Sequence, residues 1–122
     1  MTHAHPLRAL ATLAAALAAV LIGAAMLAGA AHADKSCAPP KYPGNGYFTS
    51  LKVHGTTCAT GKKVALAWYQ CRIKNGKTGR CHHAVLGFTC SEKRVTIPTE
   101  FDARVTCHRG TKRVIHTYQQ NT

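Results

Sequence analysis

All six cysteines of this 122-residue chain, Cys37, Cys58, Cys71, Cys81, Cys90 and Cys107, follow a long apolar leader. An even number of cysteines in so short a segment reads as three disulfides, and therefore as a chain that matures outside the reducing cytoplasm. Crosslinks also answer a problem of size. A domain this small buries too little apolar surface to leave much margin over conformational entropy.

The leader supports the same reading. Arg8, with His3 and His5, precedes an Ala/Leu/Val/Ile/Gly/Met run from Ala9 to Ala31 interrupted only by Thr12, and Ala31-His32-Ala33 places small residues where a signal peptidase cuts. Residues 1–33 are therefore expected to be a signal peptide. A retained anchor is the competing reading, because the run is long enough to span a bilayer. No cysteine directly follows the cut, which argues against a lipid-modified N-terminus. The expected location is secreted, outside the cell.

Removing the first 33 of 122 residues leaves 89, enough for one domain. Only Arg8 is lost from the charged set, so 15 Lys and Arg face 4 Asp and Glu, a net +11 with histidines neutral. Such a surface attracts polyanions such as nucleic acid, anionic envelope polymers or acidic lipid headgroups.

Residues 34–46 contain Pro39, Pro40, Pro43, Gly44 and Gly46 and read as an extended arm without regular structure, tied down by Cys37. A single compact domain is expected over 47–122. Tyr47 to His54, "YFTSLKVH", alternates as a half-buried strand, with Thr49, Leu51 and Val53 on one side and Ser50, Lys52 and His54 on the other. From Thr57, a plausible N-cap, the period changes: Cys58, Gly61, Ala65, Trp68 and Cys71 recur at helical steps. The small residues at its start would let this helix lie close to a sheet. Arg72 to His83 reads as a polar loop closed by Cys71 and Cys81. Strands are expected at Ala84 to Ser91, Ala103 to Arg109 and Lys112 to Gln119, the last two joined by a tight turn at Gly110-Thr111. The order strand, helix, strand, strand, strand predicts an α+β fold, one helix packed on an antiparallel-rich sheet.

Gly55 to Lys63, "GTTCATGKK", invites comparison with a phosphate-binding loop. That loop has four residues between its first glycine and Gly-Lys, then a hydroxyl for magnesium. Here five residues intervene and Lys63 replaces the hydroxyl, so no nucleotide cofactor is expected. A zinc site wants closely spaced ligand pairs; Cys71 with Cys81-His82-His83 does not match the common spacings, and no metal is expected.

Six cysteines allow fifteen pairings. If the helix runs back along the first strand, the second strand starts near the helix C-terminus and brings Cys90 toward Cys58, while the third carries Cys107 toward Cys37. That gives 58–90, 71–81 and 37–107. The main rival joins 90 to 107 and 37 to 58.

The combination of a "CATGKKVA" helix, "GFTC", and "VTCHRG" followed by a short strand resembles small, uncharacterised secreted bacterial domains with the same cysteine-bearing helix and two cysteine-bearing strands. The likeness spans about Tyr47 to Tyr118, and Cys71 and Cys81 stand outside it. It implies export and an α+β fold, and no activity.

With Leu51, Val53, Phe88, Cys90, Val105 and Cys107 facing the helix, alternation puts Ser50, Lys52, His54, Arg104, Thr106, His108, Arg113 and Thr117 on the opposite face. Lys52, His54, Arg104, His108 and Arg113 are the candidate contacts to an anionic partner. Lys74, Lys77, Arg80, His82 and His83 form a second basic patch on the 71–81 loop, whose closure suits an inhibitor presented to an enzyme cleft, that is, a protein partner. His116 is expected to face inward beside Tyr118 as a hydrogen-bonded core-edge residue. No catalytic set stands out. The enzymatic alternative is a small ribonuclease with His54 and His108 as acid and base and Lys52 on phosphate. The favoured expectation is a monomeric, non-enzymatic binding domain for an anionic polymer or cell-envelope surface.

Overall fold

A computed structural model describes residues 33–122, so the expected signal peptide lies, apart from Ala33, outside the described residues. The chain forms β1 (Lys35–Cys37), β2 (Gly46–His54), α1 (Cys58–Ile73), β3 (Thr89–Ile97), β4 (Glu100–Arg109) and β5 (Lys112–Asn121). One antiparallel sheet runs in the order β1-β2-β5-β4-β3, with α1 on one face. The α+β class and the succession strand, helix, strand, strand, strand are as the periodicity predicts; β1 is an addition. Three residues of the proline-rich arm pair with β2, Lys35 opposite Val53 and Cys37 opposite Leu51, because Cys37 is fastened beside that strand. Among the described residues no helix is long and apolar enough to cross a membrane.

Helix α1 starts where Thr57 Oγ1 accepts the backbone N–H of Thr60 at 3.1 Å, relieving one of the unpaired first-turn donors. Its buried residues are Gly61, Val64, Ala65, Trp68, Cys71 and Arg72, a stripe with helical spacing. Gly61 is the point of closest approach: a Cβ there would stand 2.6 Å from Val53 Cγ1. Facing the stripe are Leu51, Val53, Phe88, Phe101, Val105, Cys107, Val114 and Tyr118, all nearly solvent-free.

Two local readings of the sequence are corrected here. Arg72 is not the start of a loop. It lies fully buried in the last turn of α1, where its Nη2 donates to Gln120 Oε1 (2.7 Å) and to the Tyr42 hydroxyl, and its Nη1 to the Lys77 carbonyl (3.0 Å). The guanidinium also stands over the ring of Tyr118 at 4.8 Å and that of Tyr69 at 5.2 Å. Second, Ala84 to Phe88 is not strand. Val85 and Phe88 exchange backbone bonds of 3.0 and 2.8 Å around Leu86 and Gly87, both at positive φ, which makes a two-residue turn; β3 begins at Thr89 and runs on to Ile97.

The disulfides are Cys37–Cys58, Cys71–Cys81 and Cys90–Cys107. The 71–81 bond is as expected, whereas 58–90 and 37–107 are replaced by the rival pairing. The cause is topological. Residues 74–88 carry the chain back past the helix, so β3 runs antiparallel to β2, and β5 and β4 lie between them. At about 4.8 Å per strand, β3 stands about 14 Å from β2, beyond disulfide reach. Cys107, in turn, is the direct cross-strand neighbour of Cys90. Each bond stabilises by roughly 2–4 kcal/mol, chiefly by restricting the unfolded chain.

Candidate functional site on the uncovered sheet face

The face of the sheet away from α1 is ordered by register into rows. One row reads His54, Arg113, His108, Thr89 across β2, β5, β4 and β3; the next reads Lys52, Ile115, Thr106, Ser91; a third reads Ser50, Thr117, Arg104, Lys93. The structure thus gathers all five sequence-predicted contacts, Lys52, His54, Arg104, His108 and Arg113, on this one face. It adds Lys93 and Val95, which lie beyond the expected strand end at Ser91, and Asp102, which lies just before the expected start of the next strand at Ala103.

"SEKRVTI" hides its strand character because its polarity is inverted. Glu92 and Arg94 point toward the helix side, where Glu92 Oε2 accepts Trp68 Nε1 and the Tyr118 hydroxyl, both at 2.8 Å. Arg94 pairs with Glu92 and stands 4.1 Å from the centre of the Phe101 ring. Val95 faces solvent and is 73% exposed. Inward-pointing charges of this kind also blunt an exposed sheet edge against further pairing. Burial and the adjoining carboxylate raise the Tyr118 phenol above its ordinary range, so it stays a donor to Glu92.

Lys93 lies directly opposite Arg104, a like-charge cross-strand pair that costs stability. Neither has an ion-pair partner among the described residues. Beside them a bulge in β2 brings Thr49 and Ser50 together onto Thr117, with Ser50 Oγ 2.6 Å from Thr117 Oγ1. The two cations and the hydroxyls of Thr49 and Thr117 border a shallow depression of about 390 Å³ whose lining also includes Arg94, Val95, the Asp102 carboxylate, Ala103 and Tyr118. A guanidinium, an ammonium and convergent hydroxyls offer hydrogen-bond donors to phosphate, sulfate or carboxylate oxygens.

At the other end of the face, Arg113 Nη2 donates to Asp34 Oδ1 at 2.7 Å and His54 Nδ1 lies 3.4 Å from the same oxygen. The hydrogen bond from Arg113 holds the Asp34 carboxyl below its usual range. Arg113 is therefore partly neutralised, while Arg104 is not. His54 and His108 flank Arg113 from the two neighbouring strands, about 10 Å apart at the usual strand spacing.

The second predicted patch sits on a loop with a fixed shape. Arg94 donates to the carbonyls of Thr78 and Gly79, each at 2.6 Å, and Asn75 Nδ2 to that of Arg80 at 2.6 Å. Lys74, Lys77, Arg80, His82 and His83 are exposed around it, and Arg80 Nη1 reaches to 3.6 Å from Glu92. The ligand atoms of Cys71, Cys81 and His83 cluster within 4.8 Å, but the two sulfurs are bonded to each other. His116 does face inward, stacked beside Tyr118, yet both ring nitrogens lack hydrogen-bond partners, unlike the expected core-edge residue. Desolvation lowers its pKa to about 3.

Compared with protein families, with curated proteins and with solved structures, the chain matches none.

Proposed function

We propose that this is an exported, non-enzymatic binding domain that takes an anionic polymer or anionic envelope surface on the uncovered face of its sheet. The observation that carries the reading is the Lys93–Arg104 pair, without an ion-pair partner among the described residues, at the edge of a depression to which Thr49 and Thr117 contribute. Adjacent like charges oppose folding, and an anion between them removes that opposition. Three disulfides, the apolar leader and the likeness to small secreted bacterial domains support an extracellular location. The test is retention of the protein on immobilised heparin across a salt gradient. Binding that falls steeply with salt in the native chain, and with a shallower slope in Lys93→Thr and Arg104→Thr, fits the proposal. Folded variants that elute with the native protein sink it.

The clamped 71–81 loop favours a second reading, an inhibitor that inserts this loop into an enzyme cleft, because a loop fixed by Arg94 and a disulfide loses little entropy on binding. Replacing Lys74, Lys77 and Arg80 together by Ser separates the two: partner capture is lost under this reading and heparin binding is largely kept.

A further inference from the structure

The 71–81 disulfide differs from the other two in what surrounds its sulfurs. His83 Nε2 lies 3.2 Å from Cys71 Sγ, while the other ring nitrogen, Nδ1, lies 2.9 Å from the Ala84 carbonyl oxygen. The ring is therefore oriented at both nitrogens, with Nδ1–H donated to the carbonyl and Nε2 aimed at sulfur. The other sulfurs with near neighbours face carbonyls: Cys81 Sγ has that of His83 at 3.2 Å, Cys37 Sγ that of Lys35 at 3.8 Å and Cys90 Sγ that of Phe88 at 3.9 Å. A carbonyl can give no proton to a departing thiolate, whereas an imidazolium can.

Access is asymmetric as well. A cleft of about 210 Å³ is lined by Cys81, His82, His83, Ala84, Thr89 and Cys90, and Cys71 is not among its walls. A thiol entering there meets Cys81 and also Cys90, and attack on one sulfur of a disulfide expels the other, Cys71 from Cys81 and Cys107 from Cys90. Of these two leaving sulfurs, Cys71 is the one in reach of His83.

We infer that Cys71–Cys81 is an exchange-reactive disulfide for a small external thiol, with Cys81 the sulfur attacked, Cys71 the leaving group and His83 its proton donor. In the first step the external thiolate forms a bond to Cys81 Sγ, the Cys81–Cys71 bond breaks, and Cys71 leaves as a thiolate that takes the Nε2 proton of the His83 imidazolium. A second external thiolate then removes the first as an external disulfide, so two thiols are oxidised and Cys71 and Cys81 become thiols. The loop need not come apart in between. Arg94 holds Thr78 and Gly79 and Asn75 holds Arg80, so both cysteines stay in place to reclose.

The test uses oxidised protein and glutathione, sampled over time, trapped by alkylation and mapped by mass spectrometry. The expected result is that 71–81 opens before 37–58 and 90–107, with glutathione on Cys81. In His83→Gln this opening slows about a hundredfold or more, the low end of general-acid assistance, while the other two bonds open at native rates. Glutathione appearing first on Cys71, another disulfide opening first, or an unchanged rate in folded His83→Gln overturns the assignment. Adduct position and order of opening are read on the unaltered chain, so they decide the matter even if the variant does not fold.

Discussion

The guanidinium of Arg72, at the end of the helix, donates to the side-chain oxygen of Gln120, near the end of the last strand, across 2.7 Å of solvent-free interior. A buried charge is tolerated only when its donors are engaged. Here the Tyr42 hydroxyl, Gln120 and the Lys77 carbonyl take those of Nη1 and Nη2, Nε is left without a partner, and aromatic faces surround the plane. Arg72→Ala should destabilise by about 3–5 kcal/mol, since it leaves a cavity and strands those acceptors. Arg72→Lys should recover less than half of that, because an ammonium cannot span the same acceptors. Urea titration of the two variants measures both.

Stability should fall in mild acid because of His116. Its folded-state pKa is lowered to about 3 from 6.5, so below 6.5 the unfolded chain takes up a proton that the folded chain refuses. The stabilisation is complete above that value and is lost as pH falls toward 3, at about 1.4 kcal/mol per unit. His116→Leu removes this slope, and at neutral pH it costs little, since no hydrogen bond to either nitrogen is lost. Unfolding midpoints recorded from pH 7 to pH 4 check it.

Gly61→Ala opposes two effects. Helix propensity favours alanine by about 1 kcal/mol. The new methyl meets Val53 Cγ1 at 2.6 Å and Leu51 Cδ1 at 3.4 Å, in the tightest part of the helix–sheet contact. Overpacking of about 1–3 kcal/mol should win, lowering the thermal midpoint.

Leu86 has φ of +49° in the turn before β3, a conformation that asparagine tolerates and leucine does not favour. The residue is 54% exposed, so little packing is lost on changing it. Leu86→Asn should stabilise by about 1 kcal/mol, a rise of about 4–8 °C in Tm by calorimetry.

Asp34 neutralises one end of the uncovered face through Arg113. Asp34→Asn should tighten heparin binding and steepen its salt dependence by about one counterion, which elution across a salt gradient reads directly.

Much of this architecture is legible along the chain. The alternation Leu51-Val53 against Ser50-Lys52-His54 gives a strand and both its faces, and the recurrence of Gly61, Ala65, Trp68 and Cys71 gives a helix and its buried stripe. What escapes is every place where a charged side chain turns inward. Arg72, Glu92 and Arg94 read as surface because local pattern equates charge with solvent, and only their distant partners, Gln120, Trp68 and Phe101, make burial affordable. Misreading Glu92 and Arg94 cuts β3 short and hides Lys93 from the candidate site.

The apolar leader, the six cysteines, the strong positive charge and the strand and helix periods of an α+β domain are all readable along the chain, because composition and period are local quantities. Which cysteines meet, and that Lys93 faces Arg104, emerges in three dimensions. Those depend on β5 lying between β2 and β4 and on the 74–88 segment reversing the course of β3, and strand order is a relation between distant segments that no local pattern encodes.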